Sequence, residues 1–179
     1  MVTPALSSID DFLAWEVHQE EKYEFVDGKV SLFPGGTKRH TTIGLNIAMA
    51  LRLGGLAAGT VLYETKSITA RSSRYPDVVV SLDPRDRPEH TALRYPIAIV
   101  EVLSPSTEVV DRGAKLDEYR TIETLQEYVL VDSRKRWAQV VRRIADEWIV
   151  SLPLEAGHIE LRSLGVSILF DDVYAGTEL

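Results

Sequence analysis

The chain has no cysteine at all. Disulfides and thiolate-held metals are therefore excluded, and any metal must be held by oxygen or imidazole. The absence also fits a reducing compartment. No apolar run approaches the roughly 20 residues that span a bilayer. The opening "MVTPALSSIDDFLAW" lacks a basic start followed by an apolar stretch, so it does not read as a signal peptide. A cytoplasmic protein with no membrane association is expected. No repeat, linker or low-complexity segment is visible.

An excess of positive charge is missing too. The formal net charge is −7, which on its face speaks against a nucleic-acid partner. The distribution softens this. Residues 1–30 carry Asp10, Asp11, Glu16, Glu20, Glu21, Glu24 and Asp27 against Lys22 and Lys29, a net of −5, which leaves only −2 for the rest. Basic clusters lie in that remainder: Lys38-Arg39-His40, Arg71 to Arg74, Arg134-Lys135-Arg136 and Arg142-Arg143. Each is also readable as an ordinary solvated face.

What is present suits one folded domain over residues 1–179. The 179 residues are 45% apolar and 26% charged, enough for a substantial core and too few to expect two domains. Ser8 and Asp11 resemble a capping box, which predicts a short helix through about Glu20. "YEFVDGKVSLF" predicts a hairpin turning at Asp27-Gly28. Ile43, Ile47 and Leu51 recur every four residues, predicting a helix from Lys38 to about Leu53 that ends at Gly54-Gly55. "TVLYETKSITA" alternates like a half-buried strand. "PDVVVSL" and "YPIAIVEVL" are unbroken apolar runs, each led by proline, as in strands covered on both faces. A helix from Asp111 to about Ile122 and a strand at "EYVLVDS" follow. A hairpin is predicted around Ala145-Asp146, and a last short strand at "GVSILF". The fold class is α/β (α+β): a mixed central sheet flanked by helices, with an extra N-terminal hairpin.

Within this pattern one residue is out of place. Glu101 sits among Ile99, Val100, Val102 and Leu103, where an ionised carboxylate costs several kcal/mol, on the order of 3, unless it is paired or metal-bound. Asp77 opens the preceding apolar strand, held at its entry by Pro76. If the two strands are neighbours, both carboxylates can converge on one hard cation such as Mg²⁺. A structural ion pair is the other reading of Glu101, and a turn or strand-start residue the other reading of Asp77. Asp111, Lys115 and Tyr119 are four apart and share a helical face. Lys115 is then either an ordinary surface partner of Asp111 or a cation leaning over the strand ends.

The string "YEFVDGKV", His40 before a helix, "YPDVVV", "IVEVLSPSTEVVDRGAKLDEY" and "EYVLVDS" resembles the Uma-two family of restriction-endonuclease-like proteins, within the PD-(D/E)XK nuclease superfamily. The resemblance runs over roughly residues 8–170, nearly the whole chain. It implies a restriction-endonuclease-like core and a metal-dependent endonuclease hydrolysing DNA phosphodiesters. By position, it makes Asp77 and Glu101 the metal ligands with the Val102 carbonyl as a third, and it implies Mg²⁺, or Mn²⁺ in its place. Glu24 joins the acidic cluster from the N-terminal segment, and Lys115 completes the catalytic set. The usual lysine of E-X-K is Leu103 here, and Lys115 is its natural substitute. His40 and Ser104 are open as phosphate contacts or as plain helix-start and capping residues. DNA is the expected partner and a homodimer the expected assembly, because double-strand cleavage needs two sites. Two alternatives stand beside this. One is a catalytically weak nuclease-fold module that binds DNA or protein, and the other a phosphohydrolase of small phosphate esters.

Overall fold

The computed structural model describes residues 6–57 and 59–179. The N-terminal helix α1 (Ile9–Glu16) is capped by Ser8, whose hydroxyl accepts the Asp11 N–H at 3.1 Å. The Asp11 carboxylate accepts from the Ser7 hydroxyl, so only half of a capping box forms. The helix stops at Glu16, short of the expected Glu20. There the chain turns the Glu16 carboxylate inward, where it accepts from the Tyr23 N–H and the Tyr75 hydroxyl and pairs with Lys66.

The expected hairpin follows as β1 (Tyr23–Val26) and β2 (Lys29–Leu32). Asp27 and Gly28 both take positive φ, 47° and 83°, the left-handed pair that a two-residue hairpin turn requires. Next comes α2 (Lys38–Leu53), with Thr37 accepting the His40 N–H at its start. Ile43, Ile47 and Leu51 are fully buried along one face, each contributing about 1.5–3 kcal/mol by leaving water.

"TVLYETKSITA" is two strands rather than one. Glu64, at φ 43°, bends the chain between β3 (Val61–Tyr63) and β4 (Lys66–Ile68). The Glu64 N–H is held by the Asp77 carbonyl at 3.0 Å, and the bend lets one segment serve two sheets. There follow β5 (Ser72–Arg74), β6 (Val78–Val80), β7 (Ala92–Leu93) and β8 (Ala98–Leu103). The helix expected from Asp111 starts earlier and breaks at Gly113, giving α3 (Glu108–Arg112) and α4 (Ala114–Tyr119). The chain ends with β9 (Glu127–Asp132), β10 (Ala138–Ile144), β11 (Glu147–Val150), β12 (His158–Leu161), β13 (Val166–Leu169) and α5 (Phe170–Val173).

A mixed sheet runs β11-β10-β9-β8-β6-β3. Only β8 and β9 are parallel in it; β6 runs antiparallel to β8 with Val78 opposite Val100. A second sheet, β2-β1-β5-β4-β7, takes in the N-terminal hairpin as its edge, so the hairpin is part of a layer rather than an appendage. The pair β12–β13 stands apart. Every residue of β8 is buried. Val100 and Val102 face α2, α5 and the β12–β13 pair, while Ile99 and Leu103 face Leu116, Tyr119 and Tyr128. This is the α/β architecture expected, with a mixed sheet between helices. Among the described residues, no helix is long and apolar enough to cross a membrane.

Candidate active site

The register of β6 against β8 builds the floor of the site. Beyond the Val78–Val100 pair, the next two-residue step would set Val102 opposite Pro76. In an antiparallel ladder the two would exchange N–H and carbonyl, but proline has no N–H to give. The Asp77 side chain takes the other half of the exchange. Its Oδ2 accepts the Val102 N–H at 2.6 Å. The Val102 carbonyl is thereby directed past the end of β6 with no ladder donor from Pro76. Asp77 is 4% exposed, and burial holds its carboxyl up at about 6 against the pull of His40, the Val102 N–H and Lys115.

Glu101 is 2% exposed. Its Oε1 accepts from the Tyr119 hydroxyl at 3.0 Å, and Lys115 Nζ stands 3.0 Å from its Oε2. Burial drives its carboxyl well above the usual carboxylate range; Lys115 opposes this, while Asp111 and Asp77 add to it. Lys115 is also 2.9 Å from Asp111 Oδ1. Burial works against its charge, but Glu101 and Asp111 outweigh that and hold the ammonium above its ordinary value. The spacing of Asp111, Lys115 and Tyr119 thus brings all three to one place despite the break at Gly113. Lys115 is buried, not a surface partner.

His40, in the first turn of α2, sets Nε2 3.4 Å from Asp77 Oδ2, and its Nδ1 has no partner among the described residues. It therefore lies against an acid rather than simply lining the helix. Glu24 is committed elsewhere: its oxygens accept from the Tyr75 N–H and from Arg74, which also grips Glu118 through two bonds. Ser104 places its hydroxyl 3.0 Å from those of Ser106 and Thr107. Thr107 precedes α3 without a side-chain capping bond, and the Glu108 N–H is accepted by the Ser104 carbonyl.

These residues share one cavity of about 440 Å³, which Glu24, His40, Asp77, Glu101, Val102, Ser104 and Lys115 all border. Its rim comes from the β2–α2 segment, with Phe33 and Gly36, and from Pro105. Among the described residues no three acid or imidazole side chains form a ready metal cluster. Asp77, Glu101 and the Val102 carbonyl could offer a metal two carboxylates and a backbone carbonyl. Hard oxygen donors few in number fit Mg²⁺, which keeps several waters and shares its shell with substrate phosphate. Sequence reasoning missed Arg74 and gave Tyr119 no role. Arg74, the end of the Arg71 to Arg74 cluster, stands three residues before Asp77 in "SRYPD", and that closeness to the acid was the signal available.

A crystal structure from Anabaena variabilis, described as a putative nuclease belonging to DUF820, superposes with a TM-score of 0.75. The likeness covers 93% of this chain and 97% of that one at 19% identity, which supports the fold. An uncharacterised protein of Synechocystis sp. (strain PCC 6803) is 34% identical over 178 residues, covering 97% of this chain and 93% of its own. A second from the same organism is 27% identical over 158 residues, covering 84% of this chain and 89% of its own. Residues 9–168 match the Uma2 family, described as "Putative restriction endonuclease". The chain is a member of the Uma2 family.

Proposed function

We propose that this protein is a metal-dependent endonuclease of the PD-(D/E)XK type that hydrolyses DNA phosphodiesters. The observation that carries the reading is the meeting of Asp77, Glu101 and Lys115 in one cavity, with Asp111 adding a third buried acid against one buried ammonium. Burial makes negative charge on Asp77 and Glu101 costly, and a bound cation would offset that cost. A Mg²⁺ or Mn²⁺ ion held by Asp77, Glu101 and the Val102 carbonyl would supply Lewis acidity toward the phosphate and acidify a water. Lys115 orients the attacking water and offsets the charge that builds on the phosphate oxygens as the water oxygen bonds to phosphorus and the ester oxygen leaves. Tyr119 and Asp111 position Glu101 and Lys115. His40 steadies Asp77 and, with Ser104, faces the incoming phosphate. Glu24 acts with Arg74 at the cavity wall. A homodimer would supply the two sites that double-strand cleavage needs.

A second reading has its own support. Leu103 stands where the superfamily lysine belongs, and Glu24 spends both oxygens on Arg74 and Tyr75. These favour a nuclease-fold module that binds without cutting. Plasmid nicking in Mn²⁺ separates the two. Wild type should nick, while Asp77→Ala and Lys115→Ala should lose the activity by at least about 100-fold, the scale of a missing acid–base or electrostatic group. Nicking that survives Asp77→Ala would overturn the assignment. Calorimetry with Mg²⁺, on wild type and Glu101→Gln, tests the ion directly.

A further inference from the structure

The basic clusters seen in the sequence are mostly neutralised in the fold. Arg71 pairs with Asp27, Arg74 with Glu24 and Glu118, Arg134 with Asp132 and Glu108, Arg136 with Asp171, and Arg142 with Glu127. Lys38 and Arg39 differ. Both are exposed, they are adjacent, and neither has an acid within ion-pair reach among the described residues. They border a second cavity of about 570 Å³. It shares Thr37 and Pro105 with the cavity of Asp77 and Glu101, so the two adjoin across those residues. Arg134 lines it as well, and Glu178 is the one acid among its lining residues.

The position matters because of what lies next door. A phosphodiester approaching three buried acids, on a chain of net charge −7, is repelled until positive charge offsets them. Uncompensated cations beside the acids supply that offset and fix register without reading sequence, as backbone contacts do in nucleic-acid complexes. We infer that this second cavity is a phosphate subsite of the nucleic-acid track. Lys38 and Arg39 hold a phosphate flanking the scissile one as the strand passes over Thr37 and Pro105. The inference rests on the nuclease reading above, and its test is chosen to fail separately.

Binding of a labelled oligonucleotide is measured by fluorescence anisotropy without divalent cation, across a salt series, so that nothing is cut. The double variant Lys38→Gln/Arg39→Gln should bind about 10-fold more weakly and lower the slope of log K against log salt by about one to two, the effect of losing that many phosphate contacts. A charge-matched control, Lys29→Gln/Arg87→Gln, changes two other exposed cations that have no ion pair among the described residues and should bind as wild type does. In Mn²⁺, nicking by the Lys38/Arg39 variant should show a raised KM with kcat retained. Equal losses in the two double variants, unchanged binding by the first, or no binding by wild type would overturn the subsite. Binding that depends on Lys38 and Arg39 while wild type never nicks would uphold the subsite and remove the catalytic reading.

Discussion

Lys115→Met keeps the length of the side chain and removes its charge. The ammonium it deletes lies 3.0 Å from Glu101 and 2.9 Å from Asp111, and those acids are 2% and 1% exposed. Breaking a buried pair by removing one partner costs about 3–5 kcal/mol, because the remaining charge stays buried. Here two acids are left, and one of them escapes part of the cost by taking up a proton. The direction with pH follows. Glu101 is already raised well above its ordinary value, and losing Lys115 raises it further. The folded state then holds a proton that the unfolded state releases, so the variant's stability falls as pH rises from the ordinary carboxylate range upward. Urea unfolding followed by circular dichroism, from pH 5 to 8, measures this. With a slope of about 2 kcal/mol per molar urea, the midpoint at pH 8 should drop by about 1.5–2.5 M and by less at pH 5. Adding Glu101→Gln should restore at least half of the loss, since the orphaned charge goes with it. A variant within about 1 kcal/mol of wild type at every pH would refute the buried pairing.

Further outcomes follow from the same geometry. Asp77 is held up at about 6 against an ordinary 3.8, so without metal its contribution to stability falls between about pH 4 and 6, by about 3 kcal/mol. Asp77→Asn cannot titrate, and its stability relative to wild type should climb across that window; a flat difference in urea scans contradicts the shift. Glu127→Gln should cost about 3 kcal/mol, because the carboxylate accepts from Arg142 and from the Arg162 and Ser163 N–H groups. Calorimetry should find its Mg²⁺ affinity unchanged, and a lost affinity would tie Glu127 to the site. At Gly36 a Cβ would stand 2.4 Å from His40 Nδ1. Gly36→Ala should therefore shift the His40 ring signals in NMR spectra and weaken nicking, without changing any charge; unaltered spectra would mean the ring is free to give way.

How much of this was legible depended on whether a feature was local. Asp27-Gly28 announced its turn because both residues tolerate positive φ, and the turn formed. The unbroken run of β8 announced a strand covered on both faces. Asp111, Lys115 and Tyr119 converge as their spacing suggested, although Gly113 interrupts the helix. The bend at Glu64 was hidden because the sequence around it alternates without interruption. Its cause is the Asp77 carbonyl, 13 positions away, which holds the Glu64 N–H. Glu127 opens the strand expected at "EYVLVDS", and the sequence gives it no feature that sets it apart. It is as buried as Glu101, yet its partners come from β10 and from the turn after β12. A buried acid on a strand is thus no sign of chemistry by itself. Glu101 differs in bordering a cavity together with a second acid and a lysine.

Leu103 points to a consequence for how such a site can change over generations. It is fully buried against Leu116, Tyr119 and Tyr128, on the same face of β8 as Glu101. A mutation to lysine there would remove packed hydrocarbon and set a second ammonium near the first, against one shared pair of acids. Losing Lys115 first would strand those acids without a counter-charge. On the proposed PD-(D/E)XK reading, moving the lysine from 115 to 103 would therefore pass through a damaged intermediate whichever substitution came first. Only the simultaneous exchange would avoid it. On that reading, a search that demands lysine two residues after the acid would pass over this chain.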